Sequence, residues 1–155
     1  MNDTLLNGLY WLEESAIGDW VATSIWGYPI FLTLHTIGMG TIVGLSLMQA
    51  ISVLLPRVYP LQMPIYRFWK VALLGLILNV ISGSVLFIGS ASSTWFNWPF
   101  RIKLMLILTG VLLSTSLTRD TMQTDVTGKQ RIKAAAVVVV WLSALVAGRL
   151  IAYID

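Results

Sequence analysis

Five side chains in this sequence could do chemistry together: His35, Asn79, Ser82, Lys103 and Arg149. His35 is the only histidine, and it stands near the start of a long apolar run, Tyr28 to Leu55. An ionisable group on an apolar helix of that length is costly in a bilayer, so it reads as a functional site. Asn79 shares a helical stripe with Gly75 and Gly83, and Ser82 lies a turn away. Lys103 shares a stripe with Gly110 and Ser114 and is expected to point inward, whereas Arg101 falls on the opposite side and snorkels to the interface. Arg149 lies near the outer end of the last apolar run. No acid stands inside the apolar runs to neutralise the two cations. The set describes a pocket with one imidazole below and two cations above.

Three ligands suit such a pocket. A haem b could place its iron on His35, the one candidate metal ligand, with propionates on Lys103 and Arg149. A quinone head group could accept hydrogen bonds from His35 and Asn79. An anionic lipid head group could sit on Lys103 and Arg149 alone. The structural reading is that His35 and Asn79 only join helices, as polar groups on membrane helices commonly do. A lone histidine cannot supply a bis-histidine haem, so a second protomer or a partner subunit would have to bring the other. Met39, one turn on, could serve as a second iron ligand only with severe geometry. Copper or zinc transport wants several soft ligands together, and Met39, Met48, Met63 and Met105 are scattered.

The elements that must position these residues are membrane spans. Of 155 residues, 57% are hydrophobic and only 11% charged, too few charges to cover a water-facing domain. Crossing a bilayer takes about 20 apolar residues. The sequence predicts four spans, about 24–55, 65–90, 99–118 and 130–154, in an all-α integral membrane four-helix bundle. Residues 2–20 are too polar to span and predict an interfacial amphipathic helix, with an aromatic belt running on through Trp26 and Tyr28. ASSTWFNWP reads as a short loop. There is no cysteine, and the N-terminus has no basic stretch of the kind that starts a cleaved signal peptide. The basic residues sit at helix ends rather than on one face, which gives nucleic-acid binding no support.

Charge sets the expected orientation. The N-terminal segment carries four acids and no base, while the connections after the first and third spans are basic. The positive-inside rule then places both connections in the cytoplasm and both termini outward, periplasmic in a Gram-negative host. Small residues four apart mark packing faces: Gly40 and Gly44, Gly110 and Ser114, Ala144 and Gly148. Gly40 and Gly44 lie about 140° and 180° from His35 at 3.6 residues per turn, so they predict a second packing face, against a second protomer.

The chain also resembles a family of small four-helix bacterial inner-membrane proteins without a settled function. The matching pieces are Tyr28-Pro29, Leu34-His35-Thr36-Ile37-Gly38, Arg67-Phe68, Asn79 with Ser82-Gly83, Phe100 with Lys103, and Ala147-Gly148-Arg149. More distantly, the LHxxG and FxxK helices look like those of copper-resistance D-type and b-type cytochrome membrane proteins. Those relatives imply copper handling or haem-linked electron transfer. No serine or cysteine nucleophile set, phosphate-cradling loop or carboxylate pair is present. The expected role is therefore an electron-transfer membrane subunit binding haem b or quinone at His35. It would work in a homo-oligomer or a larger complex. A scaffolding subunit and an ion- or copper-handling protein are the alternatives.

Overall fold

A computed structural model of the chain describes residues 2–56, 65–123 and 126–150. Those residues form helices and no strand: α1 (Asn2–Glu13), α2 (Ala16–Thr23), α3 (Gly27–Leu54), α4 (Ile65–Ile88), α5 (Ala91–Phe96), α6 (Trp98–Gln123) and α7 (Gly128–Leu150). Four of them, α3, α4, α6 and α7, are long and apolar enough to cross a membrane. The protein is thus an all-helical, multi-pass membrane bundle, as its apolar runs require. The stretch 151–154 of the last expected span lies outside the described residues.

Each span starts and stops for a local reason. α3 begins at Gly27 after a turn held by Ser24, the last cap of α2, whose hydroxyl accepts from the amides of Trp26 and Gly27, both at 3.2 Å. The span therefore opens three residues later than 24. Pro29 sits in the first turn, where its missing N–H costs little. Pro56 stops the helix by disfavouring helical geometry at Leu55, whose ψ is 61°. α6 runs past 118 to Gln123. Thr118 and Thr121 donate back to the carbonyls of Ser114 and Leu117 at 2.8 and 2.9 Å, and Asp120 is held by Lys133 of α7. α7 starts at Gly128, where the Gln130 side chain reaches back to the Thr127 amide at 2.7 Å, half of a capping box.

The N-terminal segment is two helices rather than the single one expected over 2–20. Ser15 breaks it. Its hydroxyl donates to the Leu12 carbonyl at 2.6 Å and accepts from the Gly18 amide at 3.2 Å, ending α1 and capping α2. Gly18 permits the corner, since a Cβ there would lie 2.3 Å from the Glu13 carbonyl oxygen. The expected loop ASSTWFNWP likewise contains a helix, α5. Glu13 at the end of α1 explains why it forms. One carboxylate oxygen accepts from both the amide and the hydroxyl of Ser92, each at 2.8 Å, in the first turn of α5. Removing that carboxylate (Glu13→Ala) is expected to cost about 1 kcal/mol of local stability. Hydrogen exchange should show it as faster exchange at the Ser92 amide with the spans unchanged.

Two helical hairpins make up the bundle. α3 packs along α4, α6 packs along α7, and α3 against α7 joins the pairs. α4 and α6 meet only sparingly. The largest buried side chain is Trp141, whose indole lies over Gly110; a Cβ at Gly110 would come within 2.9 Å of the ring. α3 and α4 approach backbone to backbone at Gly38. A Cβ there would lie 2.7 Å from both the Asn79 amide nitrogen and the Gly75 carbonyl oxygen. Gly40 and Gly44, expected to mark a packing face, have open space where a Cβ would go. Among the described residues nothing packs on that face of α3, because the α4 and α7 contacts lie on its other sides.

Candidate functional site

α3 and α4 bring His35, Asn79 and Ser82 together, and α6 adds Lys103. The His35 Nδ1 lies 3.1 Å from the Asn79 carbonyl oxygen, which can only accept, so Nδ1 carries the proton. In return the Asn79 side-chain amide donates to the His35 carbonyl at 3.0 Å. The two residues thus clasp each other's backbones across the hairpin. Ser82 donates to the Leu78 carbonyl at 2.6 Å and turns its oxygen to His35 Nδ1 at 3.3 Å. Gly83 gives the imidazole its seat, because a Cβ there would lie 2.9 Å from His35 Cε1.

With Nδ1 protonated, His35 Nε2 carries a lone pair, and Lys103 Nζ stands 3.4 Å from it. Lys103 reaches this point by passing α7 at Gly148, where a Cβ would lie 3.3 Å from Lys103 Cε. Among the described residues no carboxylate pairs with Lys103. The ammonium has three donors and uses one on His35. Asn79 and Lys103 also line a cleft of about 280 Å³, measured out to its open mouth. Met39, Leu76, Ile107 and Trp141 are part of its apolar wall.

The other expected cations stand apart from His35. Arg149 is exposed in the last turn of α7, next to the Gly148 that Lys103 crosses. Arg101 is exposed too; its Nε donates to the Trp95 carbonyl at 3.1 Å, and its guanidinium stacks over Trp95 and Trp98 at 5.7 and 5.9 Å from the ring centres. Snorkelling to the aromatic belt accounts for it.

Both imidazole nitrogens are engaged, Nδ1 by the Asn79 carbonyl and Nε2 by Lys103, so His35 offers an iron no free lone pair in this arrangement. Among the described residues no three histidines, cysteines or carboxylates gather to hold a metal ion.

A second polar layer near the other end of the bundle was not singled out in the sequence. The Gln49 side-chain amide of α3 donates to the Thr118 hydroxyl of α6 at 2.9 Å, and Trp141 Nε1 donates to Ser114 at 3.1 Å. Gln49 is the one side-chain amide in the first apolar run, which was the available signal. Thr118→Ala should cost about 1–3 kcal/mol, because it strands a buried amide. Gln49→Leu with Thr118→Val should recover most of that loss in thermal melts.

Fold and site together define a multi-pass helical membrane protein with a clasped His–Asn pair and, among the described residues, a lysine without a carboxylate partner facing a cleft. No family model, curated protein or solved structure matches the chain.

Proposed function

We propose that this chain is an electron-transfer subunit of a bacterial inner membrane, with both termini outward, that binds a quinone head group at Lys103 and His35. The supporting observation is Lys103 Nζ. It is a cationic donor with spare protons, set in an apolar cleft, touching an imidazole lone pair and, among the described residues, no carboxylate. A quinone carbonyl is an acceptor without charge, which such a donor suits. The quinone would supply the two-electron chemistry. Lys103 would hold its oxygen, and His35 would hold Lys103 in place and exchange a proton with it at Nε2. The electrons would come from a partner subunit of the larger complex.

The reciprocal His35–Asn79 clasp favours a second reading, a scaffolding subunit in which these residues only join α3 to α4. The readings separate in protein purified in detergent. Quinone binding predicts near-stoichiometric quinone in the organic extract and no Soret band in the oxidised-minus-reduced spectrum. A colourless protein with no quinone supports the scaffold. A Soret band returns the haem reading.

A further inference from the structure

We infer that Arg101 binds the phosphate of an anionic phospholipid, on an aromatic mount built where α4 ends and α5 and α6 begin their turn into the bundle. The guanidinium is held in place by the protein itself. Its Nε donates to the Trp95 carbonyl at 3.1 Å, and its Cζ lies 5.7 and 5.9 Å from the ring centres of Trp95 and Trp98. Both distances are within cation–π range. Trp95 is anchored in turn. Its ring meets Phe87 of α4 edge-on at 6.3 Å, and Phe87 stacks on Phe100 of α6 at 5.5 Å. The helix that carries Trp95, α5, is fixed to α1 by the Glu13 carboxylate at Ser92.

What the mount leaves over is a row of donors. A guanidinium has five N–H donors, and Nε supplies the one that Trp95 takes. Among the described residues no carboxylate pairs with those on Nη1 and Nη2. Arg101 is exposed, so a ligand outside the bundle can reach them. Parallel N–H groups on a fixed planar fork match two oxygens of a phosphate.

Depth and charge select the occupant. Trp95 and Trp98 are 37% and 71% exposed at the start of a membrane span. Indoles in that position lie at the level of the lipid head groups. A guanidinium between them therefore stands at the depth of lipid phosphates, outside the hydrocarbon. The local field is positive. Arg101 is in the first turn of α6, at the positive end of the helix dipole, where anions are stabilised and cations are not. In the orientation proposed above it is also on the outward side, where bases are scarce. A phosphodiester monoanion offsets both costs. A zwitterionic head group would bring a second cation to the same place. The occupant is thus a lipid of the phosphatidylglycerol type rather than of the phosphatidylcholine type.

The test is native mass spectrometry of the full chain, released from micelles that contain equal amounts of phosphatidylglycerol and phosphatidylcholine. The wild type should retain one phosphatidylglycerol in preference to phosphatidylcholine. Arg101→Lys keeps the charge but loses the fork, and should lower the affinity for that lipid about tenfold. Trp98→Leu keeps an apolar side chain but removes one ring of the mount, and should weaken binding in the same direction. Arg131→Lys, exposed at the start of α7 at the other end of the bundle, should leave it unchanged. Equal retention by wild type and Arg101→Lys overturns the site. An equal loss in Arg131→Lys overturns it too, because charge alone then explains the binding. Displacement of the lipid by inorganic phosphate at equal concentration overturns the lipid as the source of the phosphate.

Discussion

Gly38→Val is expected to separate α3 from α4, with a loss of about 3 kcal/mol or more and a fall in Tm on the order of 10 °C in detergent. The reason is what the new side chain meets. A Cβ at Gly38 falls 2.7 Å from the Asn79 amide nitrogen and 2.7 Å from the Gly75 carbonyl oxygen, and both are backbone. A flexible side chain could swing away, but a helix backbone moves only as a whole. Moving α4 also pulls apart the His35–Asn79 clasp one turn away, where both bonds are 3.0–3.1 Å. Close backbone approach is what drives helix pairing where lipid is as apolar as leucine. The internal control is Gly40→Val, two residues on, where a Cβ meets nothing within 4 Å. It should leave the melting of the monomer unchanged. An equal loss at both positions would show that the Gly40–Gly44 face is covered by a second copy. An unchanged Tm for Gly38→Val would overturn the packing described here.

That contrast also marks what the sequence could and could not disclose. The four spans were legible because apolar length is a one-dimensional property, and a bilayer admits few alternatives to helices. His35, Asn79, Ser82 and Lys103 could be grouped from stripes alone, because helical periodicity assigns a face. It does not assign a partner. Gly40 and Gly44 have the spacing of a packing motif, yet Gly38 carries the contact, and only the α3–α4 crossing decides between them. Arg149 has the right depth but is exposed, since one residue of rotation separates it from Gly148, which Lys103 passes. The break at Ser15 and the helix α5 depend on single side-chain bonds, Ser15 to Leu12 and Glu13 to Ser92. The second of these links residues 79 apart in sequence, which no local pattern reveals. The cleft itself is a property of four helices at once.

Lys103→Met should raise stability and abolish quinone binding together, and the opposed signs make it the sharpest test of the site. Methionine keeps the unbranched stem that crosses Gly148, so packing along α7 is retained. What is lost is an ammonium in an apolar cleft with no carboxylate against it among the described residues. A lysine at the centre of a membrane helix costs about 2.5–3.5 kcal/mol, and less this near a helix start. The loss of its 3.4 Å contact leaves the His35 Nε2 lone pair without a donor, a penalty of about 1 kcal/mol. The balance favours methionine, so Tm in detergent should rise. Quinone affinity should fall at least about tenfold, since a charge-assisted hydrogen bond to the carbonyl oxygen is worth about 1.5–3 kcal/mol. A purely structural lysine predicts lower stability and unchanged affinity, and that pair of results would end the functional reading of Lys103. His35→Ala discriminates less well, because it breaks the clasp and the site at once. Removing the lysine leaves the His35–Asn79 bonds in place, so a change in affinity there belongs to the ligand and not to the helices.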